Sequence, residues 1–281
     1  MNNIVLFTSM VIHKFLICIR DIIMPLYKFC YICFSRFGIT IVPILTFHCF
    51  VQDEIKKNNE QIKNNKWYAS IDVFEEQIKW LVEHKYVFIN MDMIENWLLN
   101  KKKIPEKSIF LTFDDGVKSQ LDLVVPILKK YNAQGCCFVI GKRWLNKQEV
   151  MPVNSKEDTY DYFDKEYYSK NSDNLKYMKV YSHTYNFHYK KNKIPAIFFM
   201  KKSDIESDCD IMLKNGFNYA ALPYGAYGRN TALYFSKYYK LAFAFDKIGF
   251  PYIMKNSNIF KLNRIAIDGN STVKTLKKYL Y

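Results

Sequence analysis

The 281-residue chain lacks an uninterrupted apolar run of the ~20 residues that a membrane-spanning helix needs. Its most apolar stretch, NIVLFTSMVIHKFLICIRDIIMPLYKFCYICF (3–34), is broken by His13, Lys14, Arg20, Asp21 and Lys28. No basic leader precedes that stretch and no small-residue cleavage site follows it, so a secretory signal is not expected. A cysteine framework is missing too. The seven cysteines are odd in number, and Cys136 and Cys137 sit side by side in an apolar run, which reads as core. Cys30-x-x-Cys33 has the spacing of half a zinc site, but no second pair follows it. No motif of a nucleic-acid-binding module is present. The net charge of +14 comes from lysines scattered among Asn, Ile and Tyr, and supports only non-specific attraction to anionic partners. Residues 1–38 have two readings: a helix packed on the domain, or a basic amphipathic anchor lying on a membrane surface.

What is present is a regular alternation of strand-like and helix-like segments. ITIVPILTFH (39–48) reads as a buried strand ending in His48, and the polar stretch 51–67 as loop. SIDVFEEQIKWLVEH (70–84) reads as a helix with Phe74, Ile78 and Leu81 on one face and Asp72 and Glu75 available to cap its start. Further strands are expected at 86–90, 108–113, 135–141, 179–184, 219–225, 240–246 and 259–267. Helices are expected at 91–99, 118–131, 202–215, near 229–238, and after Ser271. Residues 145–175 fit no regular element. Such alternation points to parallel βα units, and about seven of them in one chain favour a distorted (β/α) barrel over an open sheet. Barrels carry their chemistry at the carboxyl ends of the strands, and His48, Asp114-Asp115, His183 and Tyr224 all fall at that end.

SIFLTFDDGVKS (108–119) ends an apolar run in two adjacent carboxylates, which repel each other unless a cation lies close. His183 and His188, in SHTYNFHY (182–189), are five residues apart. A helix would separate them by about 140°, and a strand would place them on opposite faces. They can share an ion only if the chain turns between them. Two imidazoles and one carboxylate make a set that holds a divalent ion while leaving positions open. The second carboxylate could then accept a proton from the attacking water, and Gly116 would let the backbone turn tightly beneath. His84, at a helix end, and His13 read as non-functional.

TFDDG (112–116), SHTYNFH (182–188) and LPYG (222–225), in this order, resemble the polysaccharide deacetylases of carbohydrate esterase family four. The likeness spans about 39–281 and is nearest to poly-β-1,6-N-acetylglucosamine N-deacetylases and related capsule and biofilm proteins. It rests on four residues between the histidines, on the early strand VPILTFH, and on the segment from Ser70 to Ile94. The resemblance implies a metal-dependent hydrolase removing N-acetyl groups from N-acetylhexosamine units of a cell-surface polysaccharide. It implies Asp114 as general base, with Asp115, His183 and His188 as metal ligands. His48 would be the general acid, and the Tyr224 backbone N–H a donor to the oxyanion. Zinc is the expected ion, although cobalt, nickel or iron suit the same donors. The envelope or membrane surface is the expected location, with the cytoplasm as the alternative.

Three departures stand against the family pattern. Ala221 occupies the place of an arginine that braces the base, Arg264 (in LNR) that of a C-terminal histidine, and FAFDKIGF that of a tryptophan-bearing motif. They leave open a weakly active or non-catalytic glycan-binding protein that keeps the fold. A glycosidase would need two carboxylates about 5 Å or more apart flanking the bond, a separation that adjacent Asp114 and Asp115 do not readily provide.

Overall fold

The structure, a computed structural model, describes residues 22–145, 160–227, 229–246 and 249–280. Its framework is a parallel sheet of β1 (Ile41–Phe47), β2 (Ser108–Asp115), β3 (Gly135–Val139), β4 (Met178–Ser182), β5 (Tyr219–Ala221) and β6 (Leu241–Ala244). The antiparallel strand β7 (Tyr252–Met254) covers the first half of β1, with Ile41 opposite Met254. The last strand, read from sequence as continuous over 259–267, is in fact split. β8 (Leu262–Asn263) pairs with β6, β9 (Ile265–Ala266) pairs with β1, and Arg264 lies at the break. That split strand closes the ring into a distorted seven-stranded (β/α) barrel among the described residues.

Side-chain alternation decides what faces the barrel axis. Val42 and Ile44, Phe110, Cys136 and Phe138, Tyr181, Tyr219, Leu241, Phe243 and Leu262 form one buried cluster, the barrel interior. The residues between them, including Leu45, Phe47, Leu111, Phe113, Cys137 and Val139, join a second cluster with the surrounding helices. In α2 (Ile71–Glu83) the side chains of Phe74, Ile78 and Leu81 are buried, and the Phe74 ring meets those of Phe47 and Phe113 at 5.1 and 6.0 Å. Each such buried side chain contributes roughly 1.5–3 kcal/mol, enough to fix the helix on the sheet without help from its ends. The cap of α2 is Ser70, whose Oγ accepts the Val73 N–H, and not Asp72 or Glu75. In α3 (Met91–Leu99), Ile94, Trp97 and Leu98 are buried as expected.

Elsewhere the local expectations need correction. The stretch 51–67 contains two short helices, Asp53–Asn58 and Glu60–Lys63; Asn59 caps the second by accepting from the Gln61 and Ile62 N–H groups. The expected helix 118–131 opens with a π-helical turn, Gln120–Val124, before α4 (Val125–Lys130). Part of 145–175 lies outside the described residues, and the remainder holds the short helices Lys165–Ser169 and Ser172–Tyr177. The last helix, Val273–Tyr279, is capped by Thr272, one residue after Ser271. From the N-terminal segment, a helix over 22–36 (α1) is described; residues 1–21, with His13, lie outside. Met24 and Tyr31 of α1 are buried, and Tyr31 stacks on Tyr252 at 4.9 Å. Ile22, Leu26 and Phe29 face outward.

Candidate active site at the carboxyl ends of the strands

Strand alternation along β2 aims Asp114 inward, in line with Phe110 and Thr112. Its neighbour would point out to the helices, but Asp115 has φ +80° and Gly116 φ +81°. Two successive left-handed residues swing the Asp115 carboxylate onto the barrel rim. Aspartate adopts this conformation more readily than most residues, at a cost of about 1–3 kcal/mol. Gly116 takes its φ of +81° without the strain a side chain would bring, and a Cβ there would crowd Val139 Cγ1 at 3.1 Å. One strand end thus delivers two carboxylates to two places.

The histidine segment turns as the shared-ion reading needs. β4 ends at Ser182, and Thr184 takes φ +64° immediately after His183. His188 is thereby brought back beside His183, their ring centroids 5.1 Å apart. One ligand atom from each of Asp115, His183 and His188 lies within 4.8 Å of the others, and all three residues are buried. His183 Nε2 is 3.5 Å and His188 Nε2 3.0 Å from Asp115 Oδ1. That oxygen nevertheless has no hydrogen-bond partner of acceptable geometry. Donor atoms crowded around a common centre, with a buried carboxylate oxygen left unsatisfied, fit a divalent cation.

The protonation states fit as well. Ligation needs neutral imidazole and ionised carboxylate. Burial lowers the His183 imidazole to about 4. Burial would raise the Asp115 carboxyl, but its interaction with the His188 imidazole, with smaller contributions from His48 and His183, holds it below the usual carboxylate range. His183 Nδ1 lies 2.9 Å from the Ala221 carbonyl oxygen. A proton on Nδ1 makes that hydrogen bond and leaves Nε2 as the ligand, the usual support for a metal-binding histidine. Ala221, the residue standing where an arginine was expected, serves the site through its backbone.

The missing brace comes from elsewhere. Arg264 donates two parallel hydrogen bonds to Asp114, Nη1 to Oδ1 at 2.7 Å and Nη2 to Oδ2 at 2.9 Å. Both side chains are almost completely buried, and the guanidinium also lies 4.4 Å from the Phe245 ring centroid. Burial pushes the Asp114 carboxyl up, but the Arg264 guanidinium and His183 outweigh it, and it sits below its ordinary range. Asp114 is thus paired with an arginine, supplied by position 264 and not by position 221.

His48 follows β1 directly and packs on Trp67, ring centroids 4.2 Å apart. Burial is the main influence that lowers its imidazole below the ordinary value, against the upward pull of Asp115 and Asp114. Gln120, which no motif in the sequence singles out, is fully buried in the π-helical turn. Its Nε2 donates to the carbonyl oxygens of both His48 and Asp114, at 2.7 and 2.6 Å, and so ties two strand ends together. The only hint was a glutamine on the inner side of an otherwise apolar helix start. Tyr224 has φ +58°, and its ring stacks on His188 at 4.9 Å, so LPYG does reach the site. His84 stays apart: its Nδ1 is 2.8 Å from the Trp80 carbonyl oxygen and its ring stacks on Trp80.

Comparison with known proteins agrees with this architecture. Residues 101–240 match the family model described as polysaccharide deacetylase. The chain thus carries a polysaccharide deacetylase domain over those residues, which hold both the Asp-Asp and the His-His motifs. It is 35% identical over 85 residues to poly-beta-1,6-N-acetyl-D-glucosamine N-deacetylase of Staphylococcus aureus, a match covering 30% of this chain and 28% of that protein. The chain thus spans less than a third of the length of the curated relatives it matches. Among solved structures, a de-N-acetylase from Aggregatibacter actinomycetemcomitans superposes with a TM-score of 0.71 at 19% identity, covering 86% of this chain and 100% of that one. The Streptococcus pyogenes deacetylase PplD gives a TM-score of 0.67 at 20% identity, covering 86% and 99%. At these identities the structural matches speak for the fold.

Proposed function

We propose that the protein is a divalent-metal-dependent hydrolase that removes N-acetyl groups from N-acetylhexosamine units of a cell-surface polysaccharide. The observation that carries this reading is the convergence of Asp115, His183 and His188 beside the buried Asp114–Arg264 pair. Asp115, His183 and His188 would hold the cation, which when bound would supply Lewis-acid charge for activating water and for the developing oxyanion. Zinc fits two imidazoles and one carboxylate. Asp114, kept ionised and oriented by Arg264, accepts the proton of the attacking water. His48, on the neighbouring strand end and tied to Asp114 through Gln120, is placed to protonate the departing nitrogen once it holds a proton, a state that burial disfavours and the charges of Asp115 and Asp114 favour. The Tyr224 N–H donates to the oxyanion. The Asp114–Arg264 pair also argues against a merely glycan-binding role, since it restores the brace whose absence had suggested one.

The expected result is acetate release from a panel of N-acetylglucosamine oligomers, abolished by a chelator and restored by zinc or cobalt. Release that survives complete chelation, or its absence from every acetylated oligomer with metal supplied, would contradict the proposal.

We also infer that α1 rests on an anionic membrane surface. Supporting this are its exposed apolar positions Ile22, Leu26 and Phe29, one helical turn or two apart on the side opposite Met24 and Tyr31, and the net charge of +14. No helix among the described residues is long and apolar enough to cross a membrane. Leu26→Asp combined with Phe29→Asp is expected to cut co-sedimentation with anionic vesicles by at least tenfold and leave hydrolysis of soluble oligomers unchanged. Equal sedimentation of the variant and the unaltered protein would refute the inference.

A further inference from the structure

The helix α5 (Lys202–Lys214) contributes none of the proposed ligands, yet it carries a buried carboxylate aimed at the loop between two of them. Asp208 is 4% exposed. Its Oδ1 accepts the Tyr185 N–H and its Oδ2 the Asn186 N–H, each at 2.8 Å. Among the described residues no cation is paired with it, and burial pushes its carboxyl up to about 7 despite the two backbone donors. A carboxylate is a costly group to place in such surroundings, because its desolvation is offset here by backbone N–H groups alone.

The loop it grips has reason to need holding. Thr184 is β-branched, fully buried and left-handed, a strained conformation that persists only where neighbours enforce it. Ser182 Oγ accepts the Thr184 N–H, and Thr184 Oγ1 accepts the Phe187 N–H. On the other side, Gly141 N–H and Lys142 N–H donate to the Thr184 and Tyr185 carbonyl oxygens, each at 2.9 Å. Asp208 takes the two N–H groups at the apex of the turn. The reversal that brings His188 back to His183 is thus fixed from both sides by the protein itself.

We propose that Asp208 is a positioning residue for the metal ligands: it clamps the Tyr185–Asn186 apex so that His183 and His188 converge before any ion arrives. The proposal rests on the metal-centre reading above. Its test is cobalt(II) affinity of the purified full chain, followed by visible absorption in competition with a chelating dye. Asp208→Asn keeps the shape of the side chain, but sets an NH2 group against one of the two backbone donors. It is expected to bind cobalt(II) about 10–100-fold more weakly, the range seen when the support of a ligand is removed. Asp210→Asn, on an exposed position of the same helix, is expected to bind as the unaltered protein does.

A folded Asp208→Asn variant with unchanged cobalt(II) affinity would overturn the proposal. Should that variant fail to fold, amide hydrogen exchange on the unaltered, metal-free protein decides. Slow exchange at Tyr185 and Asn186, comparable to the strand amides, supports the clamp. Fast exchange there, slowed only when cobalt(II) is added, shows that the metal shapes the loop and overturns it. Failure of the unaltered protein to bind cobalt(II) would instead overturn the metal centre itself.

Discussion

Removal of any one of the three proposed ligands, by Asp115→Asn, His183→Ala or His188→Ala, is expected to abolish metal-dependent acetate release. The loss should be roughly 10³-fold or more, since the cation's stabilisation of developing charge amounts to several kcal/mol. The three side chains are buried and their ligand atoms lie within 4.8 Å of one another. No fourth His, Cys, Asp or Glu joins that group among the described residues, so nothing is at hand to replace a missing ligand. Asparagine is the right test at 115 because the position has φ +80°, which asparagine tolerates and alanine does not. The variant then reports on the carboxylate and not on the backbone. His84→Ala, which removes an imidazole held by Trp80 on α2, is the matched control and should leave the rate unaltered. Elemental analysis separates this account from a general loss of folding: each ligand variant should retain the cooperative unfolding of the parent chain while holding far less zinc.

The second large effect is expected at Arg264. Arg264→Ala leaves the Asp114 carboxylate, 2% exposed, without its two hydrogen bonds and without a compensating charge. Breaking one side of a buried pair costs about 3–5 kcal/mol, and chemical denaturation should show a loss of that size. Activity should fall by at least about 10²-fold, the scale of a general base put out of place. The double substitution Asp114→Asn with Arg264→Met separates the two consequences. With both charges gone, no ion is left buried alone, so stability should largely return. Acetate release should not return, because no base remains. Recovery of both in the double variant would refute the assignment of Asp114, and a stable Arg264→Ala variant would refute the importance of the pair.

The positions of His48, Asp114, Asp115 and His183 at strand ends were legible from alternation alone, because a buried parallel strand shows itself as a β-branched and aromatic run that stops at a polar residue. The convergence of His183 and His188 was legible only as a condition: the chain had to turn between them, and Thr184 is the residue that turns. Arg264 could not be assigned from sequence. It is 150 residues from Asp114, and the contact exists only because the last strand breaks at Arg264 while closing the barrel between β6 and β1. Gln120 and Asp208 were hidden for the same reason, since both act on backbone groups brought close by the fold. The short helices within 51–67 show no apolar periodicity because their composition is polar, and the Asn59 cap is one polar residue among many there. The start of α2 agrees with the sequence pattern, but its cap is not decided by composition, because Ser70, Asp72 and Glu75 all suit a helix start and only the Ser70–Val73 hydrogen bond chooses among them.

On the proposed mechanism, two imidazoles and one carboxylate of this chain grip a single ion. X-ray absorption at the zinc edge of the zinc-loaded protein tests it most directly. The expected spectrum has nitrogen and oxygen at about 2.0–2.2 Å with imidazole scattering from two histidines, reduced to one in the zinc that His188→Ala still holds. A sulfur shell at about 2.3 Å, or two histidines persisting in that variant, would contradict it.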